Sequence, residues 1–201
     1  YAGLLQVGLP ELASRGLPAT VFVPTGLVGS GAFWWDALGL SGWEGSREPL
    51  MECRGEAPRV RAWAARQGRS PSPQAPGQRP PTEEALLRAA DVPGITFGAH
   101  TVSHPNLAAL PPGEQIREMG DCLAWLRGRS LPVSPWIAYP YGILDEGTVE
   151  AARSVGLLGG LTTTAGRVER GLDPFRVPRI LVPAGASKEG VLLRALGVIR
   201  S

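Results

Sequence analysis

The fold of this chain follows from one stretch, ITFGAHTVSH at residues 95–104, where a short apolar segment runs directly into two histidines. The β-branched and aromatic residues at 95–97 favour a buried strand. His100 and His104 are the only histidines in the 201 residues, and they stand four apart directly after that strand. Reactive side chains that follow a strand are typical of parallel α/β folds, whose sites lie at the carboxyl ends of the strands.

Strand and helix patterns alternate on both sides of this stretch. Before it, leucines at helical spacing over 4–12 precede a strand pattern, ATVFVP at 19–24, and a further helix begins after Thr82. After it, we predict a helix over 114–126, a strand at 136–138, a helix capped by Asp145, strands at 159–163 and 177–182, and a helix capped by Ser187. The alternation predicts parallel βα units and therefore an α/β fold. The predicted buried faces of the two later helices are Ile116, Met119, Leu123 and Leu126, and Val191, Leu192, Leu196 and Ile199.

Composition favours one globular domain over residues 1–201, since 43% of the residues are hydrophobic and 19% are charged. The alternation is interrupted by a Pro/Gly/Ser-rich insertion at about 40–82, which we interpret as a barrel loop. Within it, 60–66 could form a short helix, and SPSPQAPG at 70–77 predicts a flexible loop. The net charge of +2 is too small to indicate nucleic acid or an anionic membrane as a partner. No stretch approaches the ~18 apolar residues of a membrane helix.

The two histidines are candidate metal ligands. In a helical turn, a spacing of four places both imidazoles on one face, and imidazole suits zinc and related metals. The alternative is a pair of polar loop histidines, one of which caps a helix. A catalytic zinc has three protein ligands and an open position, so a carboxylate should complete the set. Among the aspartates, Asp36 and Asp173 could face the site.

Four segments resemble the NodB-homology polysaccharide deacetylases (carbohydrate esterase family 4). Residues 98–104, followed by PNL at 105–107, are similar to the His-Ser/Thr-x-x-His motif of that family. AYPYG at 138–142 resembles its Arg-x-Pro-Tyr-Gly motif, and residues 1–23 resemble its first helix and second strand. DPFRVPR at 173–179 resembles a late segment of members linked to exopolysaccharide synthesis. The resemblance covers nearly the whole chain outside the insertion.

The resemblance implies a distorted (β/α) barrel and a metal-dependent hydrolase acting on carbon–nitrogen bonds other than peptide bonds. Members remove acetyl groups from sugars, with zinc or another divalent ion held by Asp-His-His. Carried over, His100 and His104 become metal ligands, and the Tyr141 backbone N–H becomes an oxyanion donor. Pro140 would keep that turn rigid. The implied partner is an N-acetylated polysaccharide or oligosaccharide, and the cell envelope is the favoured compartment.

Three departures from the family pattern shape these expectations. The Thr-Phe-Asp-Asp-Gly motif, which supplies the general base and the third ligand, is absent. A tyrosine commonly follows its glycine, so the resemblance implies that the chain resumes at Tyr1, lacks the first strand and is inactive as given. Ala138 stands where many members have an arginine; Arg179 could replace it or form a surface ion pair. The late Leu-x-x-His motif is absent as well.

Substrate contacts are predicted on the rim of the site. Trp34 and Trp35 could stack on sugar rings, or could serve as core packing. Tyr139 and Arg179 complete the predicted substrate-binding set. Two other functions stay open: a non-catalytic carbohydrate-binding domain on the same fold, favoured by Ala138 and the absent late histidine, and an amidohydrolase acting on a small C–N substrate.

Overall fold

A parallel five-stranded sheet organises the chain. The computed structural model describes residues 1–30, 32–40, 42–182 and 185–198, with side chains for all of these except 42–46. The strands follow each other in sheet order β1-β2-β3-β4-β5, and each adjacent pair is parallel. Within the described residues the sheet does not close, so β1 and β5 are its edges. The predicted α/β class is confirmed. The strands are β1 (Ala19–Val23), β2 (Ile95–Ala99), β3 (Val133–Ala138), β4 (Gly159–Ala165) and β5 (Val177–Arg179).

Helices connect the first four strands, as expected for parallel pairing, whereas β4 and β5 are joined by a loop with one 3-10 turn. α6 links β2 to β3 and α7 links β3 to β4, whereas α2 to α5 lie between β1 and β2. The three predicted caps are confirmed, because the side chains of Thr82, Asp145 and Ser187 accept hydrogen bonds from the first turns of α5, α7 and α8. The helices are α1 (Leu9–Ser14, preceded by a π-helical turn, Leu4–Gly8), α2 (Trp34–Ala37), α3 (Gly42–Met51), α4 (Ala57–Arg66), α5 (Glu83–Ala90), α6 (Pro112–Arg127), α7 (Glu146–Ser154) and α8 (Lys188–Ala195). Short 3-10 turns span Thr25–Leu27, Pro76–Gln78, Leu107–Ala109, Pro140–Gly142 and Pro174–Arg176.

The main core packs α6 against the sheet. Met119, Leu123 and Leu126 are buried as predicted, but Ile116 is 42% exposed. Gln115 takes the buried position instead, and its Nε2 donates to the carbonyls of Leu107 and Leu110 at 3.0 and 3.1 Å. Three of the four predicted positions are thus correct, and Gln115 takes the place of Ile116 because its amide gains two backbone acceptors there.

The insertion carries structure of its own. The predicted helix at 60–66 is confirmed as the second half of α4, while 70–75 has no regular structure. α3 and α4 of the insertion, together with α2 just before it, enclose a second apolar cluster, which the ring of Tyr141 also contacts. The insertion is thus packed against the end of β3. The buried members of the cluster are Trp34, Leu38, Leu40, Leu50, Cys53, Val60, Trp63 and Ala64.

The C-terminal part departs from the sequence prediction. β5 ends at Arg179, three residues before the predicted end of the strand. The predicted apolar face of α8 is uncovered: Leu192 is 57% and Leu196 is 56% exposed. Ile199 lies outside the described residues. The apolar spacing was read correctly, but burial also requires an element to pack on the face, and no residue of α8 is buried.

Candidate active site

The two histidines lie on the loop that follows β2, at the carboxyl edge of the sheet. The loop is not the helical turn that the spacing suggested, because Thr101 and His104 both have left-handed backbone, with φ of 66° and 62°. Thr101 is completely buried. Its Oγ1 donates to the His100 carbonyl at 2.6 Å and accepts the His104 N–H at 3.0 Å. The fold-back of this loop, not helical periodicity, brings the imidazoles together.

The imidazole pair has the geometry of two ligands of one ion. The Nε2 atoms of His100 and His104 are 3.0 Å apart, with the rings nearly perpendicular at 83°. Two nitrogen ligands of one zinc ion lie roughly 3 to 3.4 Å apart. His100 Nδ1 donates to the Ala138 carbonyl at 2.6 Å, which leaves the His100 Nε2 lone pair facing His104. The pair therefore fits one edge of a metal coordination shell.

Both imidazoles are neutral near pH 7. Burial lowers the pKa of His100 to about 4; the hydrogen bond to Ala138 opposes this shift, and the positive charge of Arg179 adds to it. Burial also holds the pKa of His104 well below its usual value, and the neighbouring His100 lowers it further. Neutral imidazole is the form that binds metals.

The described residues supply two candidate ligands and no third. Among them, no three His, Cys, Asp or Glu side chains are grouped closely enough to hold a metal. Asp36 accepts the hydroxyl of Tyr1 at 2.6 Å. Asp173 caps the turn at Pro174–Arg176 and pairs with Arg153 and Arg176. Neither of the two aspartates that sequence reasoning singled out completes the histidine pair.

The turn after β3 lies against the histidine loop. The Tyr141 ring centroid is 4.6 Å from that of His104, and the Tyr141 hydroxyl donates to the His104 carbonyl at 3.2 Å. Tyr141 has left-handed backbone, with φ of 60°. The turn's hydrogen bonds run from Gly142 N to Tyr139 O and from Ile143 N to Pro140 O, so they do not use the Tyr141 N–H. The Tyr141 side chain thus ties this turn to the histidine loop.

Gly142 fits this turn for two reasons. Its φ is +70°, and an added Cβ would lie 2.1 Å from Thr163 Oγ1 and 2.6 Å from Thr163 N. We expect Gly142→Ala to lower the free energy of unfolding by about 3 kcal/mol, through backbone strain and overpacking together. Urea denaturation measures this. Gly171→Ala is the matched control, because Gly171 has φ of +84° and open space around it, so it should cost only about 1 kcal/mol. Equal losses in the two variants would show that Thr163 does not constrain the turn.

An aromatic cluster forms the rim beside His104. The Trp35 ring lies 4.8 Å from the His104 ring and stacks on Phe33 at 4.7 Å. Trp35 Nε1 donates to the Tyr1 hydroxyl at 2.9 Å, and that hydroxyl in turn donates to Asp36. The ring of Trp35 thus lies between Tyr1 and the histidine pair. Trp35 is half-buried, so part of its ring faces solvent.

The other predicted substrate contacts have different surroundings. Trp34 is 5% exposed and belongs to the second apolar cluster, so its ring is part of the core packing there. Tyr139 is 1% exposed, and its ring packs on Gly160, where an added Cβ would lie 2.4 Å from the hydroxyl. Substrate could reach Tyr139 only through its backbone. The substrate-binding roles of Trp34 and Tyr139 stay predictions.

Arg179 is half-buried at the end of β5. Its Nε donates to the Thr162 carbonyl at 2.6 Å, and burial lowers the pKa of its guanidinium. Its positive charge adds to the lowering of the His100 pKa, after burial. None of the ion pairs in the described part of the chain includes Arg179, so the surface ion pair considered above is not found there.

Sequence reasoning missed Glu118 and Thr101. Both bind the backbone of the histidine loop, Glu118 from α6 and Thr101 from within the loop. The signal for Glu118 was its spacing on α6, three residues after Gln115 and four before Cys122, which are both buried. An acidic residue on the packed side of a helix requires a donor partner.

The comparisons with known proteins agree with this geometry. Residues 4–159 match the sequence model of the polysaccharide deacetylase family. The parallel βα fold and the histidine pair at the carboxyl edge of the sheet agree with that match. The chain belongs to the polysaccharide deacetylase family.

Individual relatives support the same fold. The chain is 32% identical over 106 residues to YxkH of Bacillus subtilis (strain 168), itself assigned to the polysaccharide deacetylases; the match covers 53% of this chain and 38% of YxkH. Streptococcus pyogenes deacetylase PplD, solved with acetate, superposes with a TM-score of 0.66 at 22% identity, over 95% of this chain and 64% of PplD. The BpsB deacetylase domain of Bordetella bronchiseptica gives 0.62 at 18% identity, over 89% and 66%. The chain therefore spans two thirds or less of the length of these proteins, and its fold is the NodB-type distorted barrel.

None of the described helices is both long and apolar enough to cross a membrane.

Proposed function

We propose that this chain is the histidine-bearing part of a metal-dependent hydrolase that removes acetyl groups from N-acetylated sugars of a polysaccharide. The observation that carries the proposal is the pair of Nε2 atoms 3.0 Å apart, beside a turn whose Tyr141 N–H is not used by the turn itself. In the proposal the two imidazoles are metal ligands and the Tyr141 N–H is the oxyanion donor.

In this proposal His100 and His104 hold the divalent ion, most simply zinc, since the donors are imidazoles. The bound ion would polarise the acetyl carbonyl and lower the pKa of a water molecule. Ala138 O orients His100 by accepting its Nδ1–H, which keeps the Nε2 lone pair directed at the site. The absence of a third ligand among the described residues implies that an aspartate from elsewhere completes the set.

The turn after β3 stabilises the reaction's developing charge. As water adds to the acetyl carbon, the carbonyl oxygen becomes negative and accepts the Tyr141 N–H. Pro140 restricts the backbone before this donor, and the Tyr141 hydroxyl ties the turn to His104. Two parts of the site that are 37 residues apart in sequence thus hold a fixed relation.

Arg179 and Trp35 have supporting roles in the proposal. The half-buried Arg179 charge near His100 would orient a carboxylate base, the task of the motif arginine that Ala138 replaces. Trp35 offers a partly exposed ring face beside His104, and aromatic faces stack on sugar rings. Acetate, present in the PplD structure, is the product that this reaction would release.

The same observations imply that the 201-residue chain alone has little activity. Its described residues offer neither a third ligand nor a free carboxylate base at the histidine pair. This also favours the second candidate, a non-catalytic carbohydrate-binding domain. Both candidates predict that the chain binds N-acetylglucosamine oligomers.

Acetate release separates the two candidates. The chain, preceded by a segment ending in the family's Thr-Phe-Asp-Asp-Gly motif and supplied with zinc, is incubated with N-acetylglucosamine oligomers or with cyclic ureides. Release of acetate from the oligomers supports the hydrolase. Binding of the oligomers without acetate release would support the binding domain, and turnover of the ureides alone would contradict both.

A further inference from the structure

Glu118 reaches from the middle of α6 to the backbone between the two histidines. Its Oε2 accepts the N–H groups of Val102 and Ser103, both at 2.8 Å. Its Oε1 accepts the Ser103 hydroxyl at 2.7 Å. All three bonds of this half-buried carboxylate thus end on the segment that joins His100 to His104.

That segment requires support from outside. Thr101 and His104, on either side of it, have left-handed backbone that non-glycine residues adopt only where the surroundings hold them. The carbonyls of Thr101 and Val102 accept the N–H groups of Thr25 and Gly26 at 3.1 and 2.8 Å. The N–H groups of Val102 and Ser103 donate instead to Glu118.

We infer that Glu118 is a positioning residue for the metal site: by fixing the backbone at Val102 and Ser103, it sets the separation and orientation of the two imidazoles. The inference rests on the proposed metal binding. Glu118 contacts loop backbone and not the imidazoles, so it acts through the ligands. Outer groups that orient metal ligands typically contribute about 10- to 100-fold to metal affinity.

The test compares zinc binding by the full 201-residue chain and its variants, using isothermal titration. Glu118→Ala should raise the zinc Kd about 10- to 100-fold. Glu118→Gln keeps an oxygen that can accept the two N–H groups, and should recover most of the affinity. Ser103→Ala removes one of the three bonds and should show a smaller rise. Asp121→Ala is the matched control, since it removes an exposed carboxylate from the same helix and should bind as the wild type does.

A second readout follows the loop without metal. In the zinc-free protein, Glu118→Ala should speed hydrogen exchange at the Val102 and Ser103 amides, while Asp121→Ala should not. With cobalt in place of zinc, the visible spectrum of Glu118→Ala should change, because the imidazoles are reoriented. A residue that only stabilises the fold would lower the thermal midpoint and leave the spectrum and the affinity of the folded protein unchanged.

Wild-type zinc affinity in a folded Glu118→Ala variant would overturn the inference. If that variant does not fold, equal zinc affinities of Ser103→Ala and Asp121→Ala would overturn it. Faster amide exchange in Glu118→Ala, together with no zinc binding by the wild type, would support the loop anchoring and count against the proposed function. The two failures are therefore distinguishable.

Discussion

Replacing His104 with alanine is expected to abolish zinc binding by this chain, and replacing His100 should do the same. Each change leaves one imidazole where the described residues offer two ligands and no third. One imidazole alone does not compensate for the hydration that zinc loses on binding. We therefore expect the zinc Kd of each variant to rise at least ~100-fold. Isothermal titration of each variant against the wild type measures this.

Asp36→Asn is the matched control for the histidine variants. Asp36 lies near the site but accepts a hydrogen bond from Tyr1, and it belongs to no described ligand group. The variant should bind zinc as the wild type does. Zinc binding that survives in both histidine variants, or that disappears in Asp36→Asn, would contradict the site. Circular dichroism of each variant shows whether the fold is retained.

The second large effect is expected in activity. A chain preceded by a segment ending in Thr-Phe-Asp-Asp-Gly should release acetate from N-acetylglucosamine oligomers about 10³-fold faster than the 201-residue chain alone. A general base contributes roughly 10²- to 10⁴-fold, and the same segment would supply the third ligand.

The structure gives this prediction a physical basis. Tyr1 is joined to the site through Trp35, whose ring lies 4.8 Å from the His104 ring. β1 is an edge of the described sheet and has a free side on which a further parallel strand could pair. A segment preceding Tyr1 therefore has both a place to pair and a short path to the imidazoles.

The control carries Asn-Asn-Gly in place of Asp-Asp-Gly. It can form the same strand, but asparagine is neither a base nor an anionic ligand, so acetate release should stay at the level of the unextended chain. If the Asn-Asn-Gly chain matched the Asp-Asp-Gly chain, or if the unextended chain were already as fast, the proposed roles of the two aspartates would be wrong.

Much of the fold could be predicted from local patterns. The strand predicted at residues 95–97, which extends to Ala99, and the caps at Thr82, Asp145 and Ser187 depend on side chains and backbone groups within a few residues of each other. The predicted buried face of α6 was wrong only at Ile116, because Gln115 is buried there and bonds to carbonyls of another segment. The periodicity of apolar residues along one helix carries no information about hydrogen-bond partners on another segment.

The candidate site, too, was only partly predictable from the sequence. The spacing and position of His100 and His104 were visible in the sequence, but the reason that they meet was not. A helical turn was expected, and the structure has a loop with left-handed residues at 101 and 104. Whether such backbone is stable depends on Glu118 and on Thr25–Gly26, which come from other elements.

The sequence by itself determined the α/β class, the order of the strands and of the helices other than α2 and α3, and the two histidines after the second strand, because strand patterns, caps and motif spacing are local properties. Only the tertiary structure decided which side chains surround those histidines: Ala138 O on His100, Trp35 and Tyr141 beside His104, and Glu118 on the loop between them. It also showed that Trp34 and Tyr139 are buried and that the apolar face of α8 is uncovered. The physical reason is that burial and hydrogen bonding depend on residues far apart in the chain, whose meeting is a consequence of the whole packed sheet.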